Sequence, residues 1–344
     1  MKTRCLFGRK PLDIQVRELE LTLPPDGVLV KIHACGVCGT DLNFVRDWEG
    51  DYQPLGHEIS AEVMECGALV RGFAPGDTVT VEDCSMCGAC EDCKGGHPEY
   101  CRNMHTLEGV PGMGQYLVVH YGNLNKYTGI PHRHACLTEP LAVALTAVRI
   151  ADIPHNGSVL VLGCGPIGLL AARVARLQGA GFVAITGRSG TTPMSRTRLE
   201  LAGKLGCDLV LRTSCEDVTA EIRRRFPKGI DRVIVTSPPQ SMQEAFKVIR
   251  FGGTIAFLGL TFSGNSVIPF DVNEAIFNKT TLRPVFAEPA VDFALATELI
   301  KQGKVDASLF QTHAFSFDDA KAHLTEALSG SLPVIKSVFL PWGK

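Results

Sequence analysis

The first 150 residues alternate short β-branched runs with glycine and proline. The runs 28–32, 59–63 and 77–81 are of this kind and predict strands of a compact β-rich domain. After Glu139 the texture changes. Residues 140–150 carry apolar positions at helical spacing, and an apolar strand at 158–162 then runs through a glycine turn into an apolar helix ending at Leu177. Further strands are predicted at 182–186, 209–211, 232–236 and 254–258, with helices at 199–205, 217–226 and 242–249. Strands alternating with helices imply right-handed βαβ units and a parallel sheet. The final stretch predicts helices at 293–302 and 317–328 and a strand at 334–340. Periodicity alone leaves open whether it extends the parallel sheet or returns to the first domain.

At 344 residues the chain exceeds one ordinary core and suits two domains. Its 34 basic and 36 acidic side chains give a net charge of −2, with no basic excess for nucleic acid. The longest apolar stretch, 159–175, is broken by glycines and Arg173, so no membrane span is expected. Residues 1–5 (Met-Lys-Thr-Arg-Cys) open a mixed segment with no signal-like apolar stretch. Thirteen cysteines raise the idea of a disulfide framework, but five of them crowd between Cys84 and Cys101. Such crowding points to metal in a reducing cytoplasm.

Between the strand at 158–162 and the following helix lie Gly163, Cys164, Gly165, Pro166, Ile167 and Gly168. Glycines at this spacing permit a tight turn, close approach of backbone to a pyrophosphate, and close helix packing. The helix N-terminus adds free N–H groups for the phosphates. An NAD-selective fold places an acid at the end of the next strand, about 20 residues on, to hold the ribose 2′-hydroxyl. Gly187, Arg188 and Ser189 stand there instead. Gly187 leaves room for a 2′-phosphate and Arg188 either pairs with it or is a solvated surface arginine; NADP is favoured over NAD. The segment 190–197 reads as a long loop beside this site.

Cys87, Cys90, Cys93 and Cys101 have spacings that wrap one tetrahedral ion with four thiolates, a closed structural zinc shell. Cys84 lies just outside the pattern, as a bystander or a substitute ligand. A second constellation is diffuse: Cys38 in Cys-Gly-Thr-Asp, His57-Glu58 after Gly56, and Glu139-Pro140. One sulfur, one imidazole and one or two carboxylates make an incomplete shell with an open position, which a catalytic zinc needs. On spacing alone, these are equally an ordinary histidine and two solvated acids.

Taken together, Cys38-Gly-Thr-Asp41, Gly56-His57-Glu58, the four-cysteine lobe, Glu139-Pro-Leu141 and the glycine loop resemble the zinc-containing medium-chain alcohol dehydrogenases, the family of sorbitol, threonine and glucose dehydrogenases. Gly303-Lys-Val-Asp306 resembles the family's C-terminal stretch. The resemblance implies an α/β protein: a GroES-like catalytic domain over 1–150 completed by 287–344, a Rossmann doubly wound domain over 151–286, and a homodimer or homotetramer. It implies that Cys38 and His57 bind a catalytic zinc, that Glu58 is the next ligand, and that Glu139 either ligates or holds the zinc's water. Thr40 would hydrogen-bond the substrate hydroxyl. The implied reaction moves hydride between NAD(P) and a secondary alcohol or ketone, with a polyol or sugar-like substrate favoured. Asn43 stands where many members have a relay histidine, and an amide does not titrate near neutrality. The segment between Cys38 and His57, short by family standards, contains Trp48 and Tyr52. Asn43, Asp47, Glu49 and His105 are candidates to line a polyol site, with Trp48 either stacking on a sugar face or capping an apolar wall.

The rivals are an NADP-dependent reductase of simple or aromatic carbonyls, a non-catalytic zinc-binding scaffold, and a zinc-ribbon nucleic-acid binder. The scaffold reading sits badly with retained candidate ligands. The last sits badly with Glu82, Asp83, Glu91, Asp92 and Glu99 around the cysteines.

Overall fold

A computed structural model describes residues 1–107, 109–261, 264 and 266–343. The chain divides into two compact units. One comprises Met1–Ala142, Ala287–Ser329 and Lys336–Lys344; the other comprises Val143–Phe286 and Gly330–Ile335. The first division falls inside the helix Thr138–Ala151, which continues across it.

The first unit is built mainly on two sheets, with Cys84–Ser85 and His105–Thr106 forming a small two-stranded pair beside them. Its larger sheet runs in the order Leu124–Lys126, Thr78–Val81, Glu58–Cys66, Gly27–Gly36, Lys336–Phe339, Gln311–Phe315, and Tyr116–His120 also pairs with Gly27–Gly36. The alternation seen in the sequence supplies its core: Val28, Val30 and Ile32 from one strand meet Ile59, Ala61 and Val63 from its neighbour, all fully or almost fully buried. The C-terminal stretch does not extend the parallel sheet of the second unit. Its strand Lys336–Phe339 lies antiparallel to Gly27–Gly36, with Val338 opposite Gly36, and parallel to Gln311–Phe315. The smaller sheet joins Asp13–Glu20, Lys2–Arg9 and Gln53–Pro54.

The second unit holds a six-stranded, all-parallel sheet. Its order is Leu209–Arg212, Phe182–Gly187, Ser158–Leu162, Ile230–Val235, Ile249–Phe257, Thr281–Pro284. Counted along the chain this is 3-2-1-4-5-6, the doubly wound order whose switch point lies at the first strand. Ser158–Leu162 is buried along its whole length, as a central parallel strand should be.

The expected long loop at 190–197 is corrected. The helix following Phe182–Gly187 begins at Pro193 and runs to Lys204. Thr192 caps it, its hydroxyl accepting from the Ser195 N–H at 3.2 Å, and Pro193 occupies the first helical position. A capping threonine followed by proline is a start signal, so the loop is confined to the residues before Pro193. One helical stretch, His132–Ala151, is long and apolar enough to cross a membrane, but 72% of its most apolar window is buried inside the fold. Its apolar residues serve the core.

Candidate active site and metal centres

Two segments deliver the first cluster, one carrying Cys38 and the other the adjacent pair His57 and Glu58. Cys38 caps the helix Gly39–Asp47. Asp41, in the first turn, is 1% exposed and ties two ligand segments together. Its Oδ2 accepts from the Cys38 N–H and its Oδ1 from the Gly56 N–H, both at 2.8 Å. Gly56 holds φ at +89°, and a β-carbon there would fall 2.6 Å from Met113 Cγ and 2.7 Å from Cys35 Sγ. Glycine is therefore required just before His57. Glu58 opens the strand Glu58–Cys66 opposite Gly36.

The result is that one donor atom each from Cys38, His57 and Glu58 lie within 4.8 Å of one another. Sulfur, imidazole nitrogen and carboxylate oxygen from two segments form the donor set of an open zinc site. The buried Glu58 Oε2 has no hydrogen-bond partner, which is what a metal-facing oxygen shows in the absence of the ion. The residues fit the metal. Burial disfavours the His57 cation, yet the Cys38 sulfur, Asp41 and Glu139 outweigh it and hold its pKa well above the usual range. Burial raises Glu58, against the pull of Lys336. Glu139, in the first turn of Thr138–Ala151, stands outside the three-donor set. Burial and the negative charge of Glu58 push its carboxyl up to about 8. Thr40 Oγ1 lies 3.7 Å from the Cys38 sulfur, accepting from its thiol.

Lys336 was not legible in the sequence. Its ammonium is 4% exposed and donates to Glu58 Oε1 at 2.6 Å and to the Val37 carbonyl at 3.0 Å. Nothing in the pattern around position 336 marks it, apart from one lysine beside the apolar residues Val334, Ile335, Val338 and Phe339. Asp83, Cys84 and Glu288 were missed as well: they place donor atoms within 4.8 Å of one another. Burial raises both carboxyls, which also feel the charge of His57. Cys84 thus stands with these acids rather than with the four-cysteine lobe.

That lobe gathers Cys87, Cys90, Cys93 and Cys101 within 4.8 Å. None of the four is in a disulfide. Cys87 and Cys101 sulfurs are 3.6 Å apart, and Cys90 and Cys101 sulfurs 3.9 Å. A tetrahedron with Zn–S near 2.3 Å has edges of about 3.8 Å, so the spacing fits one zinc. The Ala89 and Cys90 N–H groups point at the Cys87 sulfur and lower its pKa to about 6, favouring the thiolate that a metal needs.

The polar residues expected to line a polyol site are otherwise engaged. Asn43 Oδ1 accepts from Arg46 at 2.6 Å, Asp47 pairs with Arg46 at 2.7 Å, and Glu49 pairs with Lys10 at 2.7 Å. The Trp48 N–H is spent on the Asp51 carbonyl, and His105 stacks on His120 with ring centroids 3.5 Å apart. Each of these side chains thus has a local partner in this structure.

In the second unit the glycine loop divides its labour. Gly163 holds φ at +118°, where a β-carbon would meet Thr236 Oγ1 at 2.7 Å. At Gly168 it would fall 1.8 Å from the Gly163 carbonyl oxygen, so helix and strand approach only because it is missing. Beside Gly165 there is open space, and the helix Pro166–Leu177 starts there with no side-chain cap. Ile167 and Pro166 are half-buried in its first turn. Free N–H groups facing open space at a helix N-terminus suit a pyrophosphate. The strand Phe182–Gly187 ends on buried Gly187 with Arg188 exposed beside it. The Ser189 and Thr191 hydroxyls are hydrogen-bonded to each other at 2.9 Å.

A thiol–imidazole–carboxylate cluster on one unit and a dinucleotide-type loop on a doubly wound sheet define a metal-dependent, nicotinamide-linked oxidoreductase. Residues 24–138 match the alcohol dehydrogenase GroES-like domain family and residues 166–302 the zinc-binding dehydrogenase family. The chain is 33% identical to an L-galactonate-5-dehydrogenase of Escherichia coli, covering 91% of each protein. It is 28% identical to a sorbitol dehydrogenase of Bacillus subtilis, covering 94% of this chain and 95% of the other. A zinc-binding dehydrogenase from Sinorhizobium meliloti, solved bound to NADP, superimposes with a TM-score of 0.83 at 26% identity over 99% of this chain and 100% of that one. The protein belongs to the zinc-containing medium-chain alcohol dehydrogenase family and is an oxidoreductase.

Proposed function

We propose that this dehydrogenase prefers NADP and acts on a secondary alcohol of a polyol or sugar acid, or on the matching ketone. The gathering of Cys38, His57 and Glu58 around one point carries the reading. Relatives named for galactonate and sorbitol support the substrate class, and the NADP-bound neighbour together with Arg188 supports the cofactor.

Cys38, His57 and Glu58 would hold the catalytic zinc, and Cys87, Cys90, Cys93 and Cys101 a structural one. When bound, zinc supplies Lewis acidity toward the substrate oxygen and the nicotinamide supplies the hydride acceptor. Thr40, beside the Cys38 sulfur, would hydrogen-bond the substrate hydroxyl and begin the proton path, taking that proton only as it passes its own hydroxyl proton onward. Glu139, buried and within electrostatic reach of Glu58 and His57, would either ligate the zinc or hold its water. Asn43, tied to Arg46, takes no proton. Asp41 holds the Cys38 and Gly56 backbones in register and so aims two of the three donors. Gly163, Gly165, Pro166, Ile167 and Gly168 seat the pyrophosphate, and Gly187, Arg188 and Ser189 face the adenosine ribose.

A homodimer or homotetramer in a reducing cytoplasm completes the proposal. The strand Thr281–Pro284 is the outer edge of its sheet, and Ile276, Phe277 and Phe286 around it are 62–76% exposed. An open edge flanked by apolar side chains favours pairing with another chain. The test is kcat/KM for a panel of polyols, sugar acids, simple secondary alcohols and aromatic aldehydes with both cofactors. Highest values for a polyol or sugar acid with NADP are expected; preference for simple or aromatic carbonyls would overturn the substrate reading.

A further inference from the structure

The two oxygens of the Glu58 carboxylate have different surroundings. Oε1 accepts from Lys336 at 2.6 Å, whereas Oε2 is buried without a partner. Lys336 is an expensive residue at this place. An ammonium and a carboxylate removed from water lose more solvation than their attraction restores unless further contacts complete them, and apolar residues would fill the same volume at lower cost. The backbone opposite Glu58 is shaped to match: a β-carbon on Gly36 would fall 2.0 Å from Glu58 Oε2 and 3.1 Å from Glu58 Cβ. Gly36 shows no left-handed φ, so its lack of a side chain serves space and not backbone conformation.

We propose that Lys336 and Gly36 together form a seat for Glu58. Lys336 pins Oε1, Gly36 vacates the volume of Oε2, and the carboxylate therefore presents one oxygen, in one orientation, to the metal shared with Cys38 and His57. Lys336 is a positioning residue, since it acts on the metal only through Glu58. The proposal rests on the reading of Cys38, His57 and Glu58 as ligands. Outer partners of ligating carboxylates fix their orientation and typically change metal affinity by about 10- to 100-fold when lost.

The test uses the full chain with zinc and cobalt(II) as probes, comparing wild type with Lys336→Met, Lys336→Arg and Gly36→Ala. Metal affinity is read by chelator competition, and coordination by the cobalt d–d absorption bands. The four-thiolate site serves as internal reference through its d–d bands, which four sulfur donors place at longer wavelength than those of the mixed sulfur, nitrogen and oxygen site; charge-transfer bands are shared, since Cys38 also supplies a thiolate. Lys336→Met is expected to lower affinity at the Cys38 site about 10- to 100-fold and to shift its cobalt bands, with the four-thiolate metal retained. Lys336→Arg, which keeps a charged donor, should restore most of both. Wild-type affinity and bands in Lys336→Met would overturn the proposal. If Lys336→Met fails to fold, Gly36→Ala decides: it keeps the ammonium but crowds Oε2, and unchanged bands in that variant would overturn the seat. Wild type binding no metal beyond the four-thiolate site would instead refute the ligand reading, and the seat with it.

Discussion

Gly187 and Cys164 meet so closely that a β-carbon on Gly187 would fall 2.9 Å from Cys164 Cβ and 2.8 Å from Leu199 Cδ2. Cys164 is the residue between the first two glycines of the dinucleotide loop, and its thiol donates to the Arg198 carbonyl at 3.2 Å. The room that glycine leaves at position 187 is therefore filled, at its base, by this protein's own side chains. A larger residue there would crowd Cys164 and Leu199, which would have to shift to admit it.

Cofactor choice follows. Wild type should show a higher kcat/KM with NADP than with NAD, and Arg188→Leu should reduce that ratio about 10- to 100-fold, the worth of a charge-assisted hydrogen bond to phosphate. Gly187→Asp should in addition lower the melting temperature, because Cys164 and Leu199 must give way. An unchanged cofactor ratio in Arg188→Leu would show that the guanidinium only faces solvent.

The four-thiolate lobe should be separable from chemistry. Cys90→Ser opens its shell, so metal content and thermal stability should both fall. Two metals per chain and wild-type melting in this variant would refute the assignment.

Loss of the other metal should stop turnover and leave cofactor binding intact. Cys38→Ala and His57→Ala are expected to reduce kcat by several orders of magnitude, while NADPH fluorescence titration gives the wild-type Kd, since the glycine loop belongs to the other unit. Full activity in a variant shown to lack this metal would overturn the mechanism.

Stability should carry the mark of a buried acid that is not itself a proposed zinc ligand. Burial raises the Glu82 carboxyl from 4.5 to about 7, against a hydrogen bond from Asn125 at 2.7 Å. Between those values the folded chain holds a proton that the unfolded chain has lost. The stabilising contribution is thus fully present below about pH 4.5 and is lost as pH rises through about 7. Glu82→Gln keeps an acceptor for Asn125 without the titration. Melting temperatures from pH 5 to 8 should fall less steeply for Glu82→Gln than for wild type; parallel curves would contradict this.

What the sequence made legible were features written in consecutive residues. The glycine loop, the cysteine spacing and the strand–helix alternation of the second unit depend on local turn chemistry and periodicity, and each stands where those rules put it. The helix start at Pro193 was also local, but the Thr192–Pro193 signal was read as loop. Beyond reach were relations fixed by sheet pairing between distant strands. Lys336 meets Glu58 because Lys336–Phe339 pairs with Gly27–Gly36, which pairs in turn with Glu58–Cys66. The polar side chains of Asn43, Asp47 and Glu49 looked available for substrate because their composition is that of a binding wall; only geometry reveals that Arg46 and Lys10 already engage them.

The distance along the chain between Glu58 and Lys336, 278 residues, sets an order of events in biosynthesis. At roughly 5–20 residues per second, a ribosome that has made Glu58 needs on the order of a quarter of a minute to a minute before it makes the matching ammonium. During that interval the whole continuous stretch Val143–Phe286 is translated, and its parallel sheet needs no later strand. The unit that holds Glu58 is thus completed only after the parallel sheet of the other has been made. Until then Glu58 lacks both the ammonium that pairs with it and the strand Lys336–Phe339 that extends its sheet, so its surroundings are completed only when the two distant stretches of the first unit have both been made.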